Sequence, residues 1–170
     1  GGLVGSEMCI RDSFMNVKLN PHGNGTHTEC VGHLAKEKYS LNQCLKQFMF
    51  GCQVVTITPK PMENGDGVVT FSQAQKAFMG GAEALVIRTL PNAKSKLTCR
   101  YSGTNPAYFH HEAIQHFVKN GVKHLLVDLP SVDREEDGGK LLAHKAFWNY
   151  PENPRTDCTC LLYTSDAADE

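Results

Sequence analysis

Residues 111–128 read His-Glu-Ala-Ile-Gln-His-Phe-Val-Lys-Asn-Gly-Val-Lys-His-Leu-Leu-Val-Asp, and they decide the fold class. Ile114, Phe117 and Val118 recur at helical spacing, so the spacing predicts an amphipathic helix from His111 to Asn120. Gly121 stands where helices commonly end in a left-handed residue. Val122 to Asp128 follows at once as an apolar strand. A helix that stops on glycine and feeds a buried strand is half of an α/β crossover unit.

The same grammar recurs upstream. Ser72 has the composition of an N-cap for a helix through Phe78, ended by Gly80-Gly81, and Ala84 to Arg88 is a short buried strand. Gln53 to Thr58 is a β-branched run stopped by Pro59, another strand. Ser40-Leu-Asn-Gln43 has capping-box spacing, and Leu41, Cys44, Leu45 and Phe48 predict a helix to about Phe50, stopped by Gly51. Asn16 to Leu19 is an extended lead-in before the Asn20-Pro21 turn. Pro61–Gly67, Pro91–Cys99, Gly103–Pro106 and the acidic Pro130–Gly139 read as connections, and Leu141 to Trp148 is apolar around His144. Strands alternating with helices give an α/β class, with sheet order left open.

At 170 residues, with 41% hydrophobic and 21% charged residues, the chain is long enough to bury one core. A formal net charge of -1 provides no basic surplus to attract a phosphate backbone, so nucleic acid is excluded as an expected partner. No apolar run reaches the roughly 20 residues that span a bilayer, and no membrane partner is expected. Seven cysteines, odd in number and irregular in spacing, predict reduced thiols and a cytoplasmic setting. The ends, 1–13 and 160–170, resemble translated sequencing-adapter sequence. They are set aside as non-native, leaving 14–159 as the expected single domain, truncated at both ends.

The chemistry concentrates in Pro21-His22-Gly23-Asn24-Gly25-Thr26-His27-Thr28-Glu29-Cys30-Val31-Gly32-His33. Three imidazoles and one carboxylate in so short a span form a ligand set. On extended backbone, residues two apart share a side, so His27 and Glu29 project together, as two ligands of one cation must. The glycines oppose helix and allow close backbone approach, which rules out an HExxH arrangement. Mixed nitrogen and oxygen donors suit zinc first and manganese next. The alternative is a polar turn whose histidines only satisfy backbone groups.

The Gly25-Thr-His-Thr-Glu29…His33 run resembles the signature of the metal-dependent cyclase family, typified by bacterial kynurenine formamidase, which reads H-x-G-T-H-x-D-x-P-x-H. Gly103-Thr-Asn-Pro106, Gly121-Val122, Asp128-Leu-Pro-Ser-Val-Asp133 and Leu142-Ala-His144 resemble it further, in the same order. Glu29 stands at the usual aspartate, and Val31 at the usual proline. Gly23 stands at the first histidine's slot, so His22, one residue early, would reach a metal only through an altered loop.

The resemblance implies a single domain of the swivelling β/β/α type, with a mixed sheet and flanking helices. It implies His27, Glu29 and His144 as metal ligands, with His22 as a further candidate, and His33 as general acid/base. It also implies another glutamate ligand downstream of His144. Glu152 and Asp157 are the nearby acids, and the expectation is that the glutamate belonged just past Thr159. The implied activity is metal-dependent hydrolysis of an amide or formamide, arylformamidase-like, on a small-molecule substrate, in a homo-oligomer. A non-catalytic relative that binds metal and a small carboxylate is the rival.

The remaining residues carry less. His110, His111, His116 and His124 are expected at the surface. Tyr108 and Phe109 fit a pocket wall or the core equally, and Ser131 and Asp133 fit a site, a turn or a helix cap. Cys30 is expected to point away from Glu29 as an inert buried thiol. With no G-x-S-x-G elbow, a serine hydrolase is disfavoured.

Overall fold

The computed structural model describes His22 and residues 25–163. The Asn16–Leu19 lead-in and most of both set-aside ends lie outside the described residues. In chain order the strands are β1 (His27–Glu29), β2 (Cys52–Ile57), β3 (Lys60–Pro61), β4 (Gly67–Val69), β5 (Ala84–Thr89), β6 (Tyr108–Phe109), β7 (His124–Val127) and β8 (Thr159–Leu162). The α-helices are α1 (Leu41–Cys44), α2 (Phe71–Ala77), α3 (His111–Lys119) and α4 (Leu142–Trp148).

Five strands form the main sheet in the order β1-β8-β7-β5-β2. β2, β5, β7 and β8 run parallel, and β1 closes the edge antiparallel to β8. A smaller sheet pairs β3 with β4 antiparallel and β4 with β6 parallel. Parallel neighbours need crossover connections, which α3 supplies between β5 and β7 and α4 between β7 and β8. α3 packs against both α2 and α4. Leu85, Ile87, Leu125, Ile114, Phe117, Phe147 and Trp148 are buried in one continuous core. The result is the expected α/β domain with mixed sheets and flanking helices.

The 111–128 grammar holds in detail. Ala113, Ile114 and Phe117 are buried on one face of α3. Val122 N–H donates to Phe117 C=O at 3.1 Å and Gly121 N–H to Val118 C=O at 3.1 Å, the paired bonds of a Schellman motif. Gly121 has φ +91°, as that motif requires.

Three local expectations are corrected. The first concerns the helix predicted to reach Phe50, which is a single turn, Leu41–Cys44, although Gln43 Oε1 does accept from Ser40 N at 3.0 Å. Of that helix only Cys44 is buried, while Phe48 and Met49 are 79% and 83% exposed. With no tertiary face to cover the apolar stripe, a nucleated turn has little reason to propagate. The second concerns the cap of α2, which is Thr70 rather than Ser72: Gln73 Oε1 accepts from Thr70 N at 3.1 Å. The third concerns Cys160, Leu161 and Leu162, set aside with the chain end. They form most of β8, between β7 and β1 in the sheet. A parallel strand covered on both faces shows no alternation, so nothing in this short apolar run distinguishes strand from tail.

His124 is also corrected, because it is buried rather than solvated. Its Nδ1 lies 2.9 Å from Thr159 Oγ1, and Phe50 covers its ring at 3.7 Å. Burial lowers its pKa. His116 is half-buried, and its Nε2–H donates to Phe78 C=O at 2.7 Å.

Candidate metal centre

Glu29 is the hub. It ends β1, its side chain is 4% exposed, and Oε1 lies 2.9 Å from His22 Nδ1, 3.0 Å from His27 Nε2 and 3.4 Å from His33 Nδ1. The other oxygen, Oε2, faces His144 Nε2 at 3.6 Å. Extended backbone over 27–29 puts His27 and Glu29 on one side, as alternation predicts. A 3-10 turn at Val31–His33 then folds His33 back toward Glu29. Gly32 is required there, since a Cβ would meet Tyr39 C=O at 2.1 Å. Thus His22, His27, Glu29, His33 and His144 are all brought together, with donor atoms in two overlapping groups, His22/His27/Glu29 and Glu29/His33/His144, each within 4.8 Å.

The fit to a cation rests on hydrogen-bond direction. His27 Nδ1–H donates to Gly25 C=O at 2.7 Å, because a carbonyl can only accept. Its Nε2 therefore turns a lone pair, when neutral, toward a carboxylate that also only accepts. His144 repeats this pattern, with Nδ1 2.5 Å from Asp133 Oδ2 and Nε2 toward Glu29. Among the described residues, Glu29 Oε2 and His144 Nε2 are fully shielded and lack a hydrogen-bond partner. Leaving such a buried atom unsatisfied costs about 1–3 kcal/mol. Opposed lone pairs on nitrogen and carboxylate oxygen are resolved by a positive centre between them, so the residues present fit a divalent cation.

Without a metal ion, a proton takes that place on His144. Burial pushes the Glu29 carboxyl up, but the His144 contact, the His33 and His144 charges and the His27 bond outweigh it and hold it at about 2. Burial also lowers His144, yet Asp133 and then Glu29 raise it to about 9. His33 differs, since burial lowers its pKa against the opposing pull of Glu29, and its side chain stays 24% exposed against 10% for His27 and 3% for His144. It combines a lowered pKa with access to solvent.

Two expectations about acids fare differently. Glu152 is exposed in a turn and Asp157 pairs with Lys123 at 3.3 Å, so neither joins the centre. No carboxylate follows Thr159 among the described residues, where Cys160, Leu161, Leu162 and Tyr163 continue the chain. Asp133, open between three roles in the sequence, receives backbone N–H groups from Ala143 and His144 and holds the His144 ring. Its signal was only the acid-then-apolar-helix order of 133–148. Cys30 is buried with Sγ 3.8 Å from Tyr39 C=O, as an inert thiol would be. Phe109 is core, and the Tyr108 hydroxyl donates to Asp66 at 2.9 Å.

The sequence profile of the Cyclase family matches residues 5–134, most of the chain. This chain belongs to the Cyclase family. Two solved structures have a similar fold. One, described as a potential metal-dependent hydrolase with cyclase activity, aligns with a TM-score of 0.60 at 10% identity, covering 91% of this chain and 67% of that one. The other, a predicted metal-dependent hydrolase from Bacillus stearothermophilus, gives 0.52 at 12% identity, covering 86% and 63%. The chain thus spans about two thirds of the length of either neighbour. No curated protein matches the sequence. No helix among the described residues is long and apolar enough to cross a membrane.

Proposed function

We propose that this Cyclase-family chain is a metal-dependent hydrolase of an amide or formamide bond, arylformamidase-like, with N-formylkynurenine as the first substrate to test. The observation that carries the reading is Glu29, a buried carboxylate faced by imidazole nitrogens whose other nitrogens are committed as donors. His27, Glu29 and His144 would hold the cation, with His22, 59% exposed, as a peripheral fourth donor. Zinc suits this nitrogen-oxygen set best, and manganese next. A divalent cation so held would polarise the scissile carbonyl and acidify the attacking water.

The remaining work falls to this chain's own groups. His33 Nδ1 sits 3.4 Å from Glu29 and is kept neutral by burial, so it can accept the proton that water loses on attack. Once protonated, the same imidazole returns that proton to the departing nitrogen. From N-formylkynurenine the products are formate and kynurenine. The rival reading, a relative that binds metal and a small carboxylate without turnover, draws support from β8, where apolar Leu162 and the thiol of Cys160 replace any carboxylate. A small-molecule substrate, a homo-oligomer and a cytoplasmic setting belong to the same proposal.

The deciding experiment loads the purified chain with Zn2+ or Mn2+, measures bound metal, and follows release of formate from N-formylkynurenine with and without a chelator. Chelator-sensitive formate release supports the hydrolase. Bound metal with no turnover of formyl-arylamines or cyclic amides would favour the binder.

A further inference from the structure

We infer that Asp133 is a positioning residue of this centre, acting on the cation only through His144. The inference rests on the metal reading above and extends it to a group that touches neither cation nor substrate. Asp133 lies in the connection after β7 and is buried at 6% exposure. Its Oδ1 accepts from Ala143 N at 2.7 Å, and its Oδ2 accepts from His144 N at 3.1 Å and faces His144 Nδ1 at 2.5 Å. One carboxylate therefore binds the start of α4 and the ring that α4 carries.

The geometry leaves the ring little choice. A carboxylate only accepts, so Nδ1 carries the hydrogen and Nε2 is the atom offered to Glu29 Oε2. Trp148, one helical turn on, stacks on the imidazole at 5.7 Å and 22° and restricts its plane. Trp148 is in turn fixed by an Nε1–H bond to Cys158 C=O at 3.0 Å. His27 obtains the same orientation from a neutral backbone carbonyl, whereas His144 obtains it from an anion, which strengthens the imidazole as a donor. Asp133 also caps α4, so a useful test must separate capping from orientation.

A double-mutant cycle separates them. Zn2+ affinity is measured by competition with a chromophoric chelator for the wild type, Asp133→Asn, His144→Ala and the double variant. The metal-free thermal midpoint of each is recorded alongside. Asparagine keeps a cap acceptor but cannot satisfy both α4 amides and also accept from Nδ1–H. The expected result is a loss of Zn2+ affinity of about 10- to 100-fold for Asp133→Asn, falling to within about twofold once His144 is alanine. Any midpoint shift from lost capping persists in both backgrounds. Equal affinity losses with and without His144, or no loss in Asp133→Asn, would overturn the proposal while leaving the metal centre intact. A wild-type chain that takes up no Zn2+ would overturn the centre itself and this proposal with it.

Discussion

Leu162 lies directly opposite His27 in the antiparallel ladder between β1 and β8, and Cys160 lies opposite Glu29. Directly paired residues project to the same face of a sheet. The side of β8 that shares the face of His27 and Glu29 is therefore apolar at 162 and a buried thiol at 160. Neither rung carries a carboxylate on β8.

A first prediction follows from that pairing. Leu162→Glu should tighten Zn2+ binding and destabilise the metal-free protein by about 3 kcal/mol or more, since it buries a charge without a partner. Denaturant melts with and without Zn2+, together with chelator competition, measure both effects. Unchanged Zn2+ affinity would show that position 162 does not reach the site.

His33→Ala should retain bound metal and lose turnover by about 10²- to 10⁴-fold, the usual worth of a positioned proton-transfer group. Metal analysis and a formate-release assay on the same preparation check this. Retained turnover would remove His33 from the mechanism.

A third prediction concerns acid stability. Asp66 is buried and accepts from Asn105 Nδ2, Tyr108 OH and Asn64 Nδ2, each at 2.9 Å, with Arg134 Nε at 3.0 Å. The Asn105 bond first, then those of Tyr108, Arg134 and Asn64, overcome burial and hold this carboxyl at about 2 against an ordinary 3.8. A depressed folded-state pKa contributes stability that is fully present above the unfolded value and lost as pH falls through the folded one. The gap in urea midpoint between wild type and Asp66→Asn should therefore be constant above about pH 5 and shrink toward pH 2. A gap that grows on acidification would contradict the assignment.

Gly121→Ala tests the turn that joins α3 to β7. Nothing lies within 4 Å of a Cβ placed there, so the penalty is one of backbone conformation at φ +91°. The expected loss is about 1–2 kcal/mol, read as a lower denaturant midpoint. No change would mean that the turn relaxes out of the left-handed region.

Much of the site was legible because its donors are local. His27 and Glu29 share a side through strand alternation alone, and Gly32 lets the chain turn so that His33 follows them. His144 is distant in the chain, and only resemblance to the Cyclase signature attached it to the same centre. Asp133 could not be assigned, because an aspartate before a helix is satisfied equally by a cap, a turn or a neighbouring ring. Here it serves two of these at once.

The sequence by itself determined the α/β class, the helix-glycine-strand unit at 111–128 and the ligand-rich segment from His22 to His33. Each depends on periodicity, capping or spacing among neighbours. Only tertiary structure decided that 160–162 are strand, that His124 is buried under Phe50, and that α1 stops at Cys44. It also decided that Asp133 aims His144 at Glu29. These outcomes depend on which surfaces cover a segment once distant parts of the chain meet. An apolar tripeptide, a lone histidine and a nucleated turn carry no record of their future neighbours.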